Sequence, residues 1–216
     1  MATFLTSDLH FGHARIAELC GRPFPHGPAG VDHMNEAIVH AWCEQVTDAD
    51  TVWVLGDVAM GVIDKTLPIL GRLPGTKHLI SGNHDRCWPR YGNYTAPKVQ
   101  RWTAEYRRWF DTIATSGVVA SEALCAVTPN REAVLMHHFP YAGDSHFEDR
   151  YRDERPVDDG AWLLHGHVHE AWRQRGRQIN VGIDAWGGRL VSLDEIIELI
   201  AAGPSDLAAL PWEATH

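Results

Sequence analysis

The sequence predicts an α/β domain whose first strands form a parallel sheet. Residues 1–81 alternate short β-favouring runs with segments of helical periodicity, the pattern of parallel strands joined by helical crossovers. The 216 residues, 44% of them hydrophobic, suffice for one sizeable core. We therefore expect one domain over residues 1–203, followed by a loosely attached tail over 204–216.

The strands of the first half are predicted from short apolar runs. We expect them at residues 2–7, 51–56 and 77–81, where β-favouring side chains are bounded by polar residues or glycine. The unbroken apolar run 51–56 is typical of a strand that is buried on both faces of its sheet.

The helices are predicted from apolar residues at helical spacing. The clearest case is 31–46, where Asp32 is a candidate N-cap. A shorter helix is expected over 66–73, and a longer one over 98–110. Residues 194–203 predict a last helix, which ends at a Gly-Pro pair.

From about residue 112 the sequence takes on a β-favouring character. Residues 114–138 predict β-strands with a turn at 128–131. The segment 144–160, which we call the acidic loop, is polar and predicts a surface loop or a lid. Three further strands are expected, at 161–167, 177–183 and 188–193.

Composition and charge exclude several classes of function. The formal net charge of −9 argues against tight, non-specific binding to long nucleic acid, so long duplex DNA is not an expected partner. The sequence shows neither a signal peptide nor a run of membrane-spanning length, so we expect a cytoplasmic protein without a membrane partner. The four cysteines are widely spaced and indicate reduced thiols; they are Cys20, Cys43, Cys87 and Cys125.

Five apolar runs each end in carboxylate, amide or imidazole side chains. Parallel strands present their carboxyl ends at one edge of a sheet, so these side chains are expected to meet in one pocket. Oxygen and imidazole ligands without thiolates suit borderline divalent metals such as Mn, Fe, Zn or Ni, and their number predicts two ions. The five strand ends are Asp8-Leu9-His10, Gly56-Asp57, Gly82-Asn83-His84-Asp85, His137-His138-Phe139-Pro140 and His165-Gly166-His167-Val168-His169.

In this order, the motifs DLH, GD, GNHD, HFP and GHVH resemble the signature of the calcineurin-like metallophosphoesterases. The resemblance covers roughly residues 3–192 and is strongest to small bacterial and phage members. It implies a four-layer α/β/β/α sandwich of two mixed sheets. It also implies a phosphate-ester hydrolase with two metal ions, bridged by an aspartate and by a hydroxide that attacks the phosphorus in line.

The resemblance also implies which residues bind the two ions. For the HFP motif it selects His138, and because neighbouring strand residues point to opposite faces, His137 is expected to point away. His165 is interpreted as structural. The implied ligands are Asp8, His10 and His169 for the first ion, Asp57 as the bridge, and Asn83, His138 and His167 for the second.

Four further residues are candidates for catalysis or substrate binding. The resemblance implies that His84 touches the phosphate and protonates the leaving oxygen. We expect Asp85 either to orient the His84 ring or to cap the following turn. His13 is a candidate phosphate contact or a helix-start histidine, and Arg86 is a candidate substrate contact because it directly follows the motif.

The segment 83–110 interleaves basic and aromatic residues. This pattern is typical either of a nucleotide-binding flank or of an ordinary helix with a basic face and an aromatic core face, and we favour the helix.

Charge counting favours a phosphodiester over a monoester. Two divalent ions bring four positive charges, and Asp8, Asp57 and a hydroxide leave about one to attract a small phosphate ester. Mn²⁺ is the expected metal, with Fe, Zn, Ni and Co compatible. The alternatives are a phosphomonoesterase, a nucleotide pyrophosphohydrolase, or a non-catalytic binding scaffold with this fold.

Overall fold

The computed structural model describes residues 1–144 and 148–212, and for Pro129 it describes the backbone alone. It contains two mixed β-sheets with helices packed against them, which confirms the α/β sandwich expected from the resemblance. The strands are β1 Thr3–Thr6, β2 Thr51–Val54, β3 Thr76–Ile80, β4 Thr112–Ala114, β5 Ser116–Val119, β6 Val134–His137, β7 Leu163–His165, β8 Gln174–Gly176, β9 Gln178–Asn180, β10 Val191–Ser192 and β11 Ser205–Leu207. The α-helices are α1 Ile16–Leu19, α2 Pro28–Gln45, α3 Ile63–Thr66, α4 Ala96–Tyr106, α5 Glu122–Val127 and α6 Leu193–Ala202.

The first sheet has five strands in the order β10-β1-β2-β3-β4. The four strands β1 to β4 are parallel to their neighbours, and β10 is antiparallel to β1. The predicted parallel sheet of the first half is therefore confirmed. Parallel pairing places the carboxyl ends of β1, β2 and β3 at the same edge.

The second sheet has six strands in the order β11-β8-β9-β7-β6-β5. Its centre is parallel, since β7 runs parallel to both β6 and β9, whereas β5, β8 and β11 pair antiparallel. The sequence prediction missed β8 and β11, which are three-residue strands with too few apolar side chains to form a recognisable pattern.

Two hydrophobic clusters hold the layers together. In one, Met34 and Trp42 of α2 pack against Val54 and other side chains on one face of the first sheet. In the other, Leu5 and Ile80 from the opposite face of that sheet belong to one cluster with side chains of the second sheet. The apolar faces buried in these clusters bring the two sheets face to face.

Helix α2 begins earlier than the sequence pattern indicates. Gly27 precedes it with a φ of 91°, and Pro28 occupies the first helical turn. Proline is well suited to that position because its fixed φ is helical and it lacks the N–H that would have no partner there. The proposed N-cap, Asp32, lies inside the helix, so that assignment is wrong.

The segment 114–138, predicted as β-strands joined by a turn, contains a short helix. Strands β5 and β6 lie at its two ends, but Glu122–Val127 forms α5. The Ser121 side chain accepts a hydrogen bond from the backbone N–H of Leu124, which is N-capping geometry. This local cap outweighs the β preference of the surrounding residues.

The C-terminal tail packs against the rest of the domain as far as Trp212, the last described residue. Its predicted loose attachment is therefore wrong for the described residues. β11 adds an edge strand to the second sheet by pairing with β8. Trp212 packs edge-on against Phe24, and the Arg22 guanidinium lies 5.5 Å from its ring. Within the described residues, no helix has both the length and the apolar character needed to cross a membrane.

We predict that Trp212→Ala lowers the free energy of unfolding by about 1–2 kcal/mol, less than the loss of a fully buried aromatic, because Trp212 is half-buried. Urea denaturation measures this change. Val157→Ala is the control, because Val157 is 85% exposed and its truncation should leave stability unchanged. Equal stability of Trp212→Ala and wild type would contradict the packing of the tail.

Candidate active site

The loops that follow five strands converge on one buried cluster. Asp8 follows β1, Asp57 follows β2 and Asn83 follows β3. His138 follows β6 and His167 follows β7 in the other sheet. The site therefore lies at the junction of the two sheets, at the carboxyl ends of their parallel strands.

Three side chains form a first group of candidate metal ligands. Asp8, His10 and His169 are buried, and each contributes a donor atom within 4.8 Å of the other two. His10 Nε2 lies 4.0 Å from Asp8 Oδ1, and the rings of His10 and His169 stack with centroids 5.1 Å apart. The structure thus brings together the three residues that the resemblance implies for one ion.

A second group forms around Asp57 and His138. These two residues and Asp8 also place donor atoms within 4.8 Å of one another. Asp57 Oδ2 lies 3.6 Å from His138 Nε2 and 3.7 Å from His10 Nε2, so it faces both groups. Asn83 Oδ1 lies 3.0 Å from the same nitrogen of His138.

Several donor atoms in this cluster lack a protein partner. Asp8 Oδ1 and both ring nitrogens of His10 are buried without a hydrogen bond to any described residue. Burial, together with the nearby His169 and His84 rings, lowers the pKa of His10 well below its ordinary value, so its imidazole is neutral. Buried polar atoms without partners are destabilising, and a cation would satisfy Asp8 Oδ1 and the ring nitrogen of His10 that keeps its lone pair. The donor set therefore fits a divalent metal.

Five of these residues have backbone φ angles in the left-handed region, which is unfavourable for residues other than glycine. The φ angles are 57° for Asp8, 53° for His10, 55° for Asp57, 70° for His167 and 49° for His169. Such strain persists where the surrounding structure holds the backbone, and it concentrates at functional sites. Here these φ angles accompany the convergence of the five side chains on the buried cluster.

Gly56, just after β2, allows the loop after β2 to approach the loops that carry Gly82 and His138. Gly56 has a φ of 98°, and a Cβ atom there would lie 2.5 Å from His138 Nδ1 and 2.6 Å from the backbone nitrogen of Gly82. The glycine of the GD motif is therefore required both by its conformation and by the lack of space.

Two histidines of the cluster are oriented by oxygen acceptors. His138 Nδ1 lies 2.7 Å from the backbone oxygen of Leu55, and His169 Nδ1 lies 2.8 Å from Asp184 Oδ2. In each ring an oxygen is thereby placed to accept the hydrogen of Nδ1, and Nε2 is the nitrogen left to bind a metal once it is deprotonated.

The protonation state of His169 is set by the carboxylates around it. Burial lowers the pKa of His169, but the carboxylates of Asp8 and Asp184 outweigh it and raise the pKa well above its ordinary value. Because a ligating imidazole must be deprotonated, a metal ion held by His169 would displace a proton.

A buried ion pair that the sequence analysis missed supports the first group. Arg22 and Asp184 are fully buried, with Arg22 Nε 2.8 Å from Asp184 Oδ1 and Nη2 2.9 Å from Oδ2. The same guanidinium donates to the backbone oxygens of Asp8 and Leu9. The pair therefore fixes both the backbone at Asp8 and the ring of His169. The available sequence signal was that Asp184, like the ligands, follows a strand.

Asp85 does not orient the His84 ring, so that expectation is wrong. Its carboxylate accepts three backbone N–H groups instead, from Asp57 and Val58 at 2.9 and 3.0 Å and from Gly82 at 2.9 Å. Burial and the nearby Asp57 carboxylate raise the pKa of Asp85, while the N–H donors oppose this rise. Asp85 thus ties the loop after β2 to the loop after β3.

His84 lies at the edge of the cluster and is partly exposed. Its side chain is 39% exposed, and its Nε2 lies 4.0 Å from Asp57 Oδ2. Its backbone N–H donates to Asp57 Oδ1 at 2.8 Å, which holds the loop while leaving the ring open to a ligand.

His13 contacts the cluster and also supports the start of α1. Its ring lies edge-on to His10, with centroids 5.4 Å apart, and its Nδ1 accepts the backbone N–H of Arg15. Burial, with the nearby His84 and Arg22, lowers the pKa of His13 to about 4. The ring is therefore neutral at physiological pH, and the hydrogen bond agrees with its interpretation as a helix-start histidine.

The basic and aromatic residues of 83–110 are largely engaged with one another. The Arg86 guanidinium lies 4.5 Å from the ring of Trp102 on α4. Trp88 is 7% exposed and packs against Phe139 and Tyr151. These contacts agree with the interpretation of this segment as an ordinary packed helix and its approach.

The acidic loop reaches the site through a residue to which the sequence analysis assigned no role. Asp144 Oδ2 lies 3.3 Å from His167 Nε2. The three residues that follow Asp144, 145–147, lie outside the described residues. His137 and His165 are engaged elsewhere, the first accepting the N–H of Phe139 and the second lying 2.7 Å from its neighbour's carbonyl oxygen.

We predict that Arg22→Met lowers the free energy of unfolding by about 3–5 kcal/mol at pH 7, because it leaves Asp184 buried without its cation. Urea denaturation of the metal-free protein measures the loss. Arg72→Met is the matched control, since Arg72 pairs with Glu36 where both side chains are half-exposed, and it should have a much smaller effect.

The effect of Arg22→Met should also depend on pH. Burial raises the pKa of Asp184, but Arg22 and His169 outweigh it and lower the pKa from 3.8 to about 2. The stability contributed by this carboxylate is therefore complete above about pH 4 and is lost as the pH falls toward 2. The difference between wild type and variant should shrink in that range, and a difference that stays constant would contradict the assignment.

Comparison with known proteins places this geometry in a family. The model of the calcineurin-like phosphoesterase superfamily domain matches residues 1–183. The Gene 66 protein of Mycobacterium phage D29 is 39% identical over 204 residues, covering 91% of this chain and 94% of that protein. The Gene 66 protein of Mycobacterium phage L5 is 38% identical over 205 residues, covering 92% and 93%. An uncharacterized protein of Methanocaldococcus jannaschii is 27% identical over 209 residues, covering 93% and 92%.

A solved structure shows the same fold. The crystal structure of a protein of unknown function from Aquifex aeolicus matches with a TM-score of 0.64 and 24% identity, covering 92% of this chain and 98% of that one. The family match spans most of the chain, and the phage relatives match it nearly end to end. This chain therefore belongs to the calcineurin-like phosphoesterase superfamily.

Proposed function

We propose that this protein is a two-metal phosphodiesterase that hydrolyses small phosphate esters. The observation that carries the proposal is the set of buried donor atoms without partners, Asp8 Oδ1 and both nitrogens of His10, within a cluster of carboxylates and imidazoles. Family membership supports metal-dependent phosphoester hydrolysis in general. The preference for diesters and the use of two ions are our own inference.

The proposed ligands divide into two sets that share Asp57. Its position 3.6–3.7 Å from nitrogens of His138 and His10 supports the bridging role. Two divalent cations, when bound, supply the Lewis acidity that activates water near neutral pH and stabilise the charge that develops in the transition state. We assign Asp8, His10 and His169 to one ion and Asn83, His138 and His167 to the other, with Mn²⁺ as the expected metal and Fe, Zn, Ni or Co as compatible ones.

We assign His84 the role of proton donor to the leaving oxygen. Its ring is half-exposed at the edge of a buried cluster, where an ester can reach it. The backbone bond from His84 to Asp57 holds this ring close to the proposed metal position without using either ring nitrogen. Asp85 contributes indirectly, by tying the loop that carries Asp57 to the loop that carries His84.

The charges around the site support a singly charged substrate. Asp8 and Asp57 cancel two of the four charges of two divalent ions, and the attacking hydroxide reduces the excess to about one. A further cation beside the phosphate, for which Arg86 is the candidate because it directly follows the GNHD motif, would favour a dianionic monoester. The Arg86 guanidinium lies over the ring of Trp102, 4.5 Å from its centroid, and we therefore leave its charge out of the count.

We predict that bis-(p-nitrophenyl) phosphate is hydrolysed with a higher kcat/KM than p-nitrophenyl phosphate in the presence of Mn²⁺. Release of nitrophenolate between pH 6 and 9 measures both rates. A marked preference for the monoester would favour the phosphomonoesterase alternative. Hydrolysis of a nucleotide pyrophosphate faster than that of either nitrophenyl ester would favour the pyrophosphohydrolase alternative. If no ester is hydrolysed with any of the metals, the protein is a non-catalytic binding scaffold.

We predict that His84→Ala lowers kcat by about 10²–10⁴-fold, the usual contribution of a general acid, while the protein still binds two metal ions. The loss should be smaller for a nitrophenyl ester than for an alkyl ester, because nitrophenolate needs little protonation to leave. His40→Ala, which removes an exposed histidine of α2, is the control for a general effect of histidine loss. Loss of a metal ion from His84→Ala would show that the ligand assignment is wrong.

A further inference from the structure

Asp144, in the acidic loop, is buried against a proposed metal ligand. Its side chain is 1% exposed, and its Oδ2 lies 3.3 Å from His167 Nε2. The residue lies outside the five strand-end motifs. Its position therefore calls for an explanation that the proposed ligand set does not provide.

The contact determines which nitrogen of His167 carries a hydrogen. An ionised carboxylate can only accept hydrogen bonds, so His167 Nε2 must be the donor and Nδ1 keeps the lone pair. Asp184 plays the same part for His169 through the opposite nitrogen, since it holds Nδ1 and leaves Nε2 available. Two metal-binding histidines of one GHVH motif are thus each held by a carboxylate from elsewhere in the chain.

Further contacts hold Asp144 in place. Arg150 donates to it from its backbone N–H at 3.1 Å and from Nη2 at 3.0 Å. Tyr151 stacks on Phe139, with centroids 5.1 Å apart, and lies edge-on to His167. The approach of Asp144 to the site is therefore supported by packed neighbours in the acidic loop.

A second link ties the acidic loop to the segment after β3. Glu154 forms an ion pair with Arg90, a few residues beyond the GNHD motif. The loop is thereby attached on one side to the HFP and GHVH motifs and on the other to the segment that follows Asn83.

We propose that Asp144 is a positioning residue that holds the His167 ring with Nδ1 directed to the second metal ion. The acidic loop then contributes to the affinity of that ion, although it supplies no ligand. Loss of such an outer partner typically weakens metal binding about 10–100-fold. This inference rests on the proposed function, because it assumes the two-ion site.

The test measures Mn²⁺ binding to the full chain by titration and elemental analysis. Wild type should bind two ions. Asp144→Ala should retain one affinity and weaken the other about 10–100-fold, and Asp144→Asn should weaken it less because its amide oxygen still accepts a hydrogen bond. Asp158→Ala removes an equal charge from an exposed position of the same loop and should bind both ions as wild type does.

A second readout reports the tautomer directly. In ¹⁵N NMR of the metal-free protein, His167 should carry its hydrogen on Nε2 in wild type and should populate both tautomers in Asp144→Ala. A wild-type hydrogen on Nδ1 would overturn the inference even if Asp144→Ala failed to fold. Wild-type affinity for both ions in a folded Asp144→Ala variant would also overturn it.

The two proposals fail in different ways. If wild type binds fewer than two ions, the two-metal function is wrong whatever the state of His167. If wild type binds two ions and hydrolyses diesters while Asp144→Ala matches it in both affinities, the function stands and the role of Asp144 is wrong.

Discussion

The concentration of buried carboxylates and imidazoles at the junction of two sheets is the constraint on which the rest of the site depends. Asp8, Asp57 and Asp85 are almost fully buried, and a buried carboxylate is stable only with hydrogen bonds or positive charge nearby. Asp85 obtains three backbone donors, whereas Asp8 Oδ1 obtains no described partner. A cation at the cluster would give this oxygen a partner, which is the physical basis for expecting metal ions.

The same constraint explains why the site is built on strained backbone. Five proposed ligands adopt positive φ, a conformation that disfavours non-glycine residues and that needs rigid surroundings. The two sheets and the helices packed against them provide these surroundings, and the buried Arg22–Asp184 pair adds hydrogen bonds to the backbone at Asp8. The packed surroundings thus hold the donor atoms of the proposed ligands in place before any ligand binds, which is the condition for a preorganised site.

The outer contacts divide the site into two unequal parts. The ligands on the His169 side are supported from the core by a fully buried ion pair. Those on the His167 side are approached by the acidic loop, whose contacts run through Asp144 and Tyr151. One part is thus supported by the interior of the protein and the other by a loop at its surface.

The sequence by itself determined the fold class, the parallel first sheet and the ordered residues of the strand ends, because these depend on local patterns. It did not determine that α5 interrupts the β-rich segment, that β11 completes a sheet, or that Asp85 binds backbone N–H groups. It also did not reveal that Asp184 and Asp144 face histidines of the GHVH motif. Only the tertiary structure decided these points, because each depends on atoms that come into contact when distant segments pack together.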